Sequence, residues 1–389
     1  MAGFQSFDNV VAAVTNGQTW RQEFSKSFNP TTAAAAGEVH TLFRGAGNPP
    51  ADAIFDAGSN LTFQPVLDTT ASAGTMYHGG DVYPYYKSLL NLSFTPSGAT
   101  TTPAQAVLID VIGFYRVTTV TTTTAQATTN TLGQSDTFTA NAGTDVCTWT
   151  STANKPYNIL TGTRVRLTTT TTLPAGLSTA TDYYVIKVSD TTFKLATSYA
   201  NAVAGTAIDI TDAGTGTHTV TWLLPRYTNG AGVQAIFFNP AATALGAATP
   251  NLSLGYTNAA QVASRATPTV LPVGKTAASN SLVLYSGASG AGKYNYMVPL
   301  QAGDTGIAQI DSIQNSVSYV SGSYTVAMFR ELARLPLTTV GVSTERDLIA
   351  QFPSMPRVYD GAALYWMYIS ASATPANSAF SGYIQTAWN

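Results

Sequence analysis

YTVAMFREL, residues 324–332, decides the fold class. Tyr324, Val326, Met328 and Arg330 fall on one side of an extended chain, and Thr325, Ala327, Phe329 and Glu331 fall on the other. A period of two marks a β-strand, and β-branched and aromatic residues suit a pleated surface. The same composition returns in AVLIDVIGFYRVTTV (106–120), RVRLTTTTT (164–172), DYYVIKVS (182–189), VQAIFFN (233–239), NSLVLYS (280–286), YNYMVPL (294–300), ALYWMYISA (363–371) and SGYIQTAWN (381–389). Gly, Pro, Asn and Asp recur between these runs as turn signals. Many short strands with few helices predict an all-β chain, a β-sandwich or barrel.

Helix is scarce. DNVVAAVTNGQTWRQEF (8–24) has an amphipathic pattern that Asn16-Gly17 interrupts, and TERDLIAQF (344–352) reads as a short helix stopped before Pro353. The first fifty residues otherwise show little strand rhythm. With their alanine run, Gly and Pro, they read as an extended N-terminal arm over about 1–50, suited to reaching a neighbouring subunit.

Charge is the second signal. Lys, Arg, Asp and Glu make up 10% of the 389 residues, against about 25% in an ordinary soluble domain. Yet 44% of the chain is hydrophobic and 11% aromatic, so it has the means to bury a large core. What is missing is the charged coat that keeps a solitary globule apart from its neighbours. A chain of this kind is expected to pack against copies of itself or against another assembly. With a net charge of -2 and no basic stripe, no nucleic-acid partner is expected. No run of 18 apolar residues predicts a membrane span, and MAGFQSFDNVVAAV lacks the pattern of a secretory signal. Cys147 is the single cysteine, which excludes a disulfide within the chain and a cysteine-rich zinc site.

The Thr-rich tract TTVTTTTAQATTN (118–130) marks a change of composition. Beyond it, LPAGLSTATDYYVIKVSDTTFKLATS (173–198) and ITDAGTGTHTV (210–220) resemble a small β module that recurs in structural proteins of bacteriophage particles. Trp149 and Trp222 stand near the two ends of that segment. The resemblance implies an inserted β domain over about 133–222, within a core formed by 1–132 and 223–389. The flanking phrases LPRYTNGAGVQAIFFN (224–239), IAQIDSIQNSVSYVSGSYTVAMFRELARLPL (307–337) and ALYWMYISASATPANSAFSGYIQTAWN (363–389) resemble phage virion proteins that coat or brace the capsid as jelly-roll-like trimers. A capsid decoration or cement protein in the virion of a tailed phage is therefore expected, assembled in the host cytoplasm. Its partners would be copies of itself, as a homotrimer, and the major capsid protein or other virion proteins. A tail or baseplate protein, or a host-receptor or glycan-binding surface protein, is the alternative.

Motifs with chemistry are few. GASGAGKY (287–294) fits a phosphate loop in outline, but Tyr294 stands where a Ser or Thr must hold Mg²⁺, and the sequence continues as a strand. A hairpin tip is expected there. His40, His78 and His218 form no metal-binding pair at i, i+2 or i, i+4. Asp209 and Asp212 lack calcium-loop spacing and read as turn braces. No Ser lies in a nucleophile elbow. No catalytic residue, metal or cofactor is expected, and the chain is read as a non-enzyme. Two patches stand out. In TMYHGGDVYPYY, the residues Tyr77, His78, Tyr83, Tyr85 and Tyr86 could form an interface or a sugar-stacking platform, with packing against a neighbouring subunit the simpler account. Arg330, Glu331, Arg334, Glu345, Arg346 and Asp347 alternate in sign as interface ion pairs do.

Overall fold

The structure is a computed structural model. It describes residues 3–27, 36–56, 60–66, 68, 74–80, 82, 85–97, 104–129, 136–150, 161–162, 164–179, 181–189, 191–198, 201–202, 204–222, 224, 226–227, 230–240, 245–246, 248, 250–260, 262–267, 271–272, 283, 296–351, 355–370 and 378–389. The NSLVLYS run, save Val283, and all of GASGAGKY lie outside the described residues.

The fold is all-β and sandwich-like, built of antiparallel sheets. Its centre is one sheet with the strand order Gln234–Phe238, Tyr324–Leu337, Ala104–Val117, Leu364–Ile369 and Val39–Thr41. The opening stretch, 324–332, sits in its middle and is covered on both faces. Tyr324, Val326 and Met328 enter one apolar cluster with Ile112, Tyr115 and Phe237. Ala327 and Phe329 point the other way, into a second cluster with Ile109, Phe55 and Tyr365. The period of two thus separates two cores, not a core from water. Each Val, Ile or Phe so buried contributes on the order of 1.5–3 kcal/mol.

The long strands 104–117 and 324–337 span two further layers. Over the first half of 324–337, the sheet of Asn251–Asn258, Ile307–Asn315, Arg265–Ala266 and Gln126–Ala127 closes the first cluster through Leu254, Tyr256, Ile310 and Ile313. Over its second half, Leu332, Leu335 and Leu337 meet a different sheet, ordered Thr344–Asp347, Lys87–Ser97, Ala379–Trp388, Thr19–Ser27 and Gly47–Asn48. Register shifts at Met328/Phe329 and Glu331/Ala333 bend the strand between the two, as bulges do.

That last sheet is strongly two-faced. Phe24, Leu92, Phe94, Phe380 and Ile384 face inward with Trp366. The register puts Glu345, Ser93, Tyr383 and Glu23 in one outward row and Asp347, Asn91, Gln385 and Arg21 in the next. Helix α1, Phe7–Thr15, lies on the outer face at one end, with Val10 and Ala13 packed on Leu90 and Ala387. The Ser6 hydroxyl caps it by accepting the Asn9 N–H at 3.2 Å, and it ends at Asn16 before Gly17 at φ 71°.

Three expectations are corrected. Residues 3–27 and 36–50 form no free arm, because Thr19–Ser27 pairs along its whole length with the C-terminal strand 379–388. TERD does not start a helix: Thr344–Asp347 pairs with 91–94, and a 3-10 turn follows at Ile349–Gln351. Sheet pairing overrides the helical propensity of four residues. In YNYMVPL, residues 296–300 are irregular, although the Val298 N–H donates to the Ala235 carbonyl.

Between residues 136 and 222 the chain forms a closed barrel of Arg164–Thr169, Asp182–Lys187, Thr192–Ala196, Val146–Trp149, Asp136–Asn141 and His218–Trp222. Among the described residues, its interior cluster draws on residues 138–220, including Phe138, Leu167, Val185 and Leu195. Trp149 stacks on Phe193 at 4.2 Å between ring centroids. Cys147 is buried in this barrel, and burial pushes its thiol up to about 12, so it serves as a small apolar filler. Asp212 is a turn brace, its carboxylate accepting the Ala175 and Gly214 N–H groups.

Candidate functional site

The segment 74–80 crosses one end of the two-faced sheet and is fastened at several points. The Met76 N–H donates to the Leu364 carbonyl at 2.9 Å. Thr386 donates its hydroxyl to the His78 carbonyl at 2.9 Å. The His78 ring is fully buried, with Nε2 3.0 Å from the Ala362 carbonyl, so Nε2 carries the proton and donates. Nδ1 is then the acceptor, and Lys87 Nζ donates to it at 2.9 Å. The same ammonium donates to the Gly80 carbonyl and, at 3.2 Å, to Asp360 Oδ1. Three donors meet three acceptors, which is how an ammonium group is tolerated at 1% exposure.

Burial and the neighbouring Lys87 charge push the His78 pKa down to about 3. His78 is therefore a neutral prop and cannot act as a surface ligand. This corrects its place in the expected aromatic patch. Asp68 Oδ2 lies 3.6 Å from His78 Nε2, and beyond it is a second buried ion pair. Arg226 contacts both carboxylate oxygens of Asp110 at 2.6–3.0 Å and donates to the carbonyls of Val66 and Val111. The Ala363 N–H also donates to Asp110. Burial opposes the Arg226 charge, but the Asp110 carboxylate outweighs it and raises the pKa.

Lys26 is a third buried cation. It donates to the carbonyls of Gly45 and Pro50, and burial pulls its pKa down to about 8 against the pull of Asp52. Asp52 in turn accepts the Tyr365 hydroxyl at 2.5 Å. His40 and Glu38, 3.2 Å apart, are buried as well. Six of the described Lys, Arg, Asp and Glu side chains are thus buried inside the fold.

Of the expected aromatic patch, Tyr77 and Tyr85 are 46% and 47% exposed, Tyr86 is half-buried, and Tyr83 lies outside the described residues. Tyr86 forms one side of a stack in which Arg357 lies 4.0 Å from its ring and 4.1 Å from that of Tyr359. Tyr77 meets Trp20 edge to face at 5.1 Å, and Trp20 is itself 40% exposed. Sequence reasoning missed Trp20, which sits in a stretch that looked like the tail of a helix. It also missed Lys87 and the Arg226–Asp110 pair. A signal for the last was present, since Asp110 is a lone charge in the apolar run AVLIDVIGF and needs a buried partner.

The expected ion-pair group is divided by the alternation of strand 344–347. Arg346 turns inward and donates to the Arg334 carbonyl at 3.1 Å. Arg334 pairs with Glu331 at 2.9 Å, and the Tyr296 hydroxyl joins both. Arg330 bonds the Ala231 carbonyl and lies over Tyr227. These residues border a shallow cleft of about 500 Å³. Glu345 and Asp347 point to the opposite, outer face, where Glu345 reaches Tyr383 and Asp347 accepts the Ile349 N–H. Among the described residues no group of three or more His, Cys, Asp or Glu side chains is placed to hold a metal ion, and no helix is long and apolar enough to cross a membrane.

No family model matches the chain, and no curated protein matches it. Among solved structures, the infectious bursal disease virus VP2 subviral particle aligns over 95% of this chain and 80% of its own, with 9% identity and a TM-score of 0.17. The T=1 particle derived from the same virus aligns over 95% and 77%, with 9% identity and a TM-score of 0.18. Scores of this size do not establish a shared fold.

Proposed function

We propose that this chain is a non-enzymatic structural protein of a bacteriophage particle, a decoration or cement protein that binds the head shell through copies of itself, arranged as trimers. One observation carries the reading: the chain is sparing with charge, at 10% Lys, Arg, Asp and Glu, and six of the described charged groups are buried. Lys26, Lys87, Arg226, Glu38, Asp52 and Asp110 are all 5% exposed or less. The surface left over is β-rich and carries few charges for a chain of this length. Docking such a surface strips water from few ions, so desolvation opposes association weakly. Each contact can be modest when several copies engage the shell together. The barrel at 136–222 suits an outward-projecting guest domain, because its apolar cluster is made from its own strands.

The test is the position of the chain in an image of the intact particle, together with its copy number. Many copies spread over the head support decoration. A few copies at the tail support a baseplate role, and absence from particles rules out both.

A further inference from the structure

We propose that Trp20 and Tyr77 form a notch that binds a pyranose ring of a neutral glycan. Both rings are substantially exposed, and their planes meet at 87° with centroids 5.1 Å apart. One ring can serve as a floor and the other as a wall. Gly79 makes this corner possible. Its φ is 95°, and a Cβ there would lie 3.1 Å from Trp20 Cβ and 3.2 Å from Trp388 Cζ3. Only glycine lets the backbone pass between the two indoles without moving Trp20.

The corner is also held rigid from behind. Lys87 ties down the Gly80 carbonyl, Thr386 ties down that of His78, and the His78 ring is fixed to Ala362. This gives the buried Lys87–His78 cluster a purpose: it holds a surface corner in one shape, which lowers the ordering cost of binding.

The chemistry of the notch points to a sugar. Trp20 and Arg21 are adjacent on a strand and so point to opposite faces. Arg21 is occupied on the outer face by Tyr383 and Glu23. Lys87 turns inward. The notch offers two aromatic rings and a phenolic hydroxyl, and the two nearby described cations, Arg21 and Lys87, are engaged elsewhere. The electron-rich faces of Trp and Tyr attract the C–H face of a pyranose, and the committed cations Arg21 and Lys87 are not available to an anionic ligand. Two rings fall well short of the roughly 800 Å² per partner that a stable protein contact buries, which favours a ligand of one or two rings over a flat protein surface. The inference does not depend on the virion role, since the notch belongs to the single chain.

The test uses the full chain on an array of neutral hexopyranoside- and N-acetylhexosamine-terminated glycans, followed by calorimetric titration of the best binder. At least one neutral glycan should bind. Trp20→Ala and Tyr77→Ala should each weaken it by at least about tenfold, with melting temperature unchanged, and Trp20→Phe should retain most of the affinity. If Trp20→Ala fails to fold, Tyr77→Ala carries the test alone. The proposal is overturned if no glycan binds at millimolar concentration, or if the Tyr77 variant binds as well as the parent. It is also overturned if hydroxyl-radical footprinting shows both rings shielded by self-association, which would make the corner a protein contact.

Discussion

The barrel at 136–222 and the layered body around it handle polar groups in opposite ways. In the barrel, Arg166 pairs with Asp182 across one hairpin, half exposed. Thr137 meets Thr150, and Asp212 braces a turn two residues long. In the body, Arg226 reaches back 116 residues to Asp110, which also accepts an N–H from 253 residues further on. Lys87 joins His78 to Asp360, 273 residues away. The barrel's ion pairs stay within its own segment and partly in water, whereas the body adds pairs that are distant in sequence and buried. A unit of the first kind can be inserted into a chain without disturbing its host. A unit of the second kind exists only once both chain termini have come together, as the 19–27 and 379–388 pairing shows.

The comparison breaks hardest at Arg226. Arg226→Ala leaves the Asp110 carboxylate buried and unpaired, a change expected to destabilise the body by about 3–5 kcal/mol. Urea denaturation followed by hydrogen exchange should show body amides losing protection while barrel amides keep theirs. Equal loss in both would mean that the two regions fold as one unit. The converse change is Phe193→Ala, which removes the ring stacked on Trp149 and should cost about 3–5 kcal/mol within the barrel. Protection of strands 104–117 and 324–337 should then be unaffected.

Acid should discriminate next. Folded His78 titrates near 3, against an ordinary value of 6.5. The unfolded chain therefore binds more protons than the folded one between those values, so stability falls as pH drops from about 6.5 toward 3. Lys87 and Asp68 lie against the ring, and His40, likewise pushed down to about 3 by burial, adds to this response. Denaturant midpoints measured from neutral pH to pH 4 should decline, and His78→Gln should flatten the decline. A profile unchanged by that substitution would show that His78 is not its source.

The smallest effect is expected at Arg166→Ala. The lost pair is solvent-exposed and contributes about 0–1 kcal/mol, so the melting temperature should barely move. A drop comparable to that of Arg226→Ala would abolish the contrast between the two regions.

Much of this architecture was legible in the sequence. The alternation in YTVAMFREL and the apolar run at 106–120 foretold strands, because side-chain period depends on local backbone geometry alone. The barrel segment was read from its resemblance to a phage β module and the Thr-rich tract before it, since its closing pairs, such as Phe138 with His218, span 80 residues. The candidate site was much less legible. His78 looked like a surface ligand because nothing local shows that Ala362 and Lys87 enclose it. Trp20 was hidden in a helical pattern that Asn16-Gly17 ends. The helix expected at 344–352 failed because the strand 87–97 that recruits it lies about 250 residues earlier. Long-range pairing leaves little trace in a local window.

The central claim is that a chain with so few charges presents a charge-poor surface completed by docking. The most direct measurement is co-sedimentation of the purified chain with head shells stripped of it, from low to high ionic strength. Binding that persists with little change across the series is the expected result, because screening acts on exposed charges. Failure to bind, or release at moderate salt, would contradict the claim.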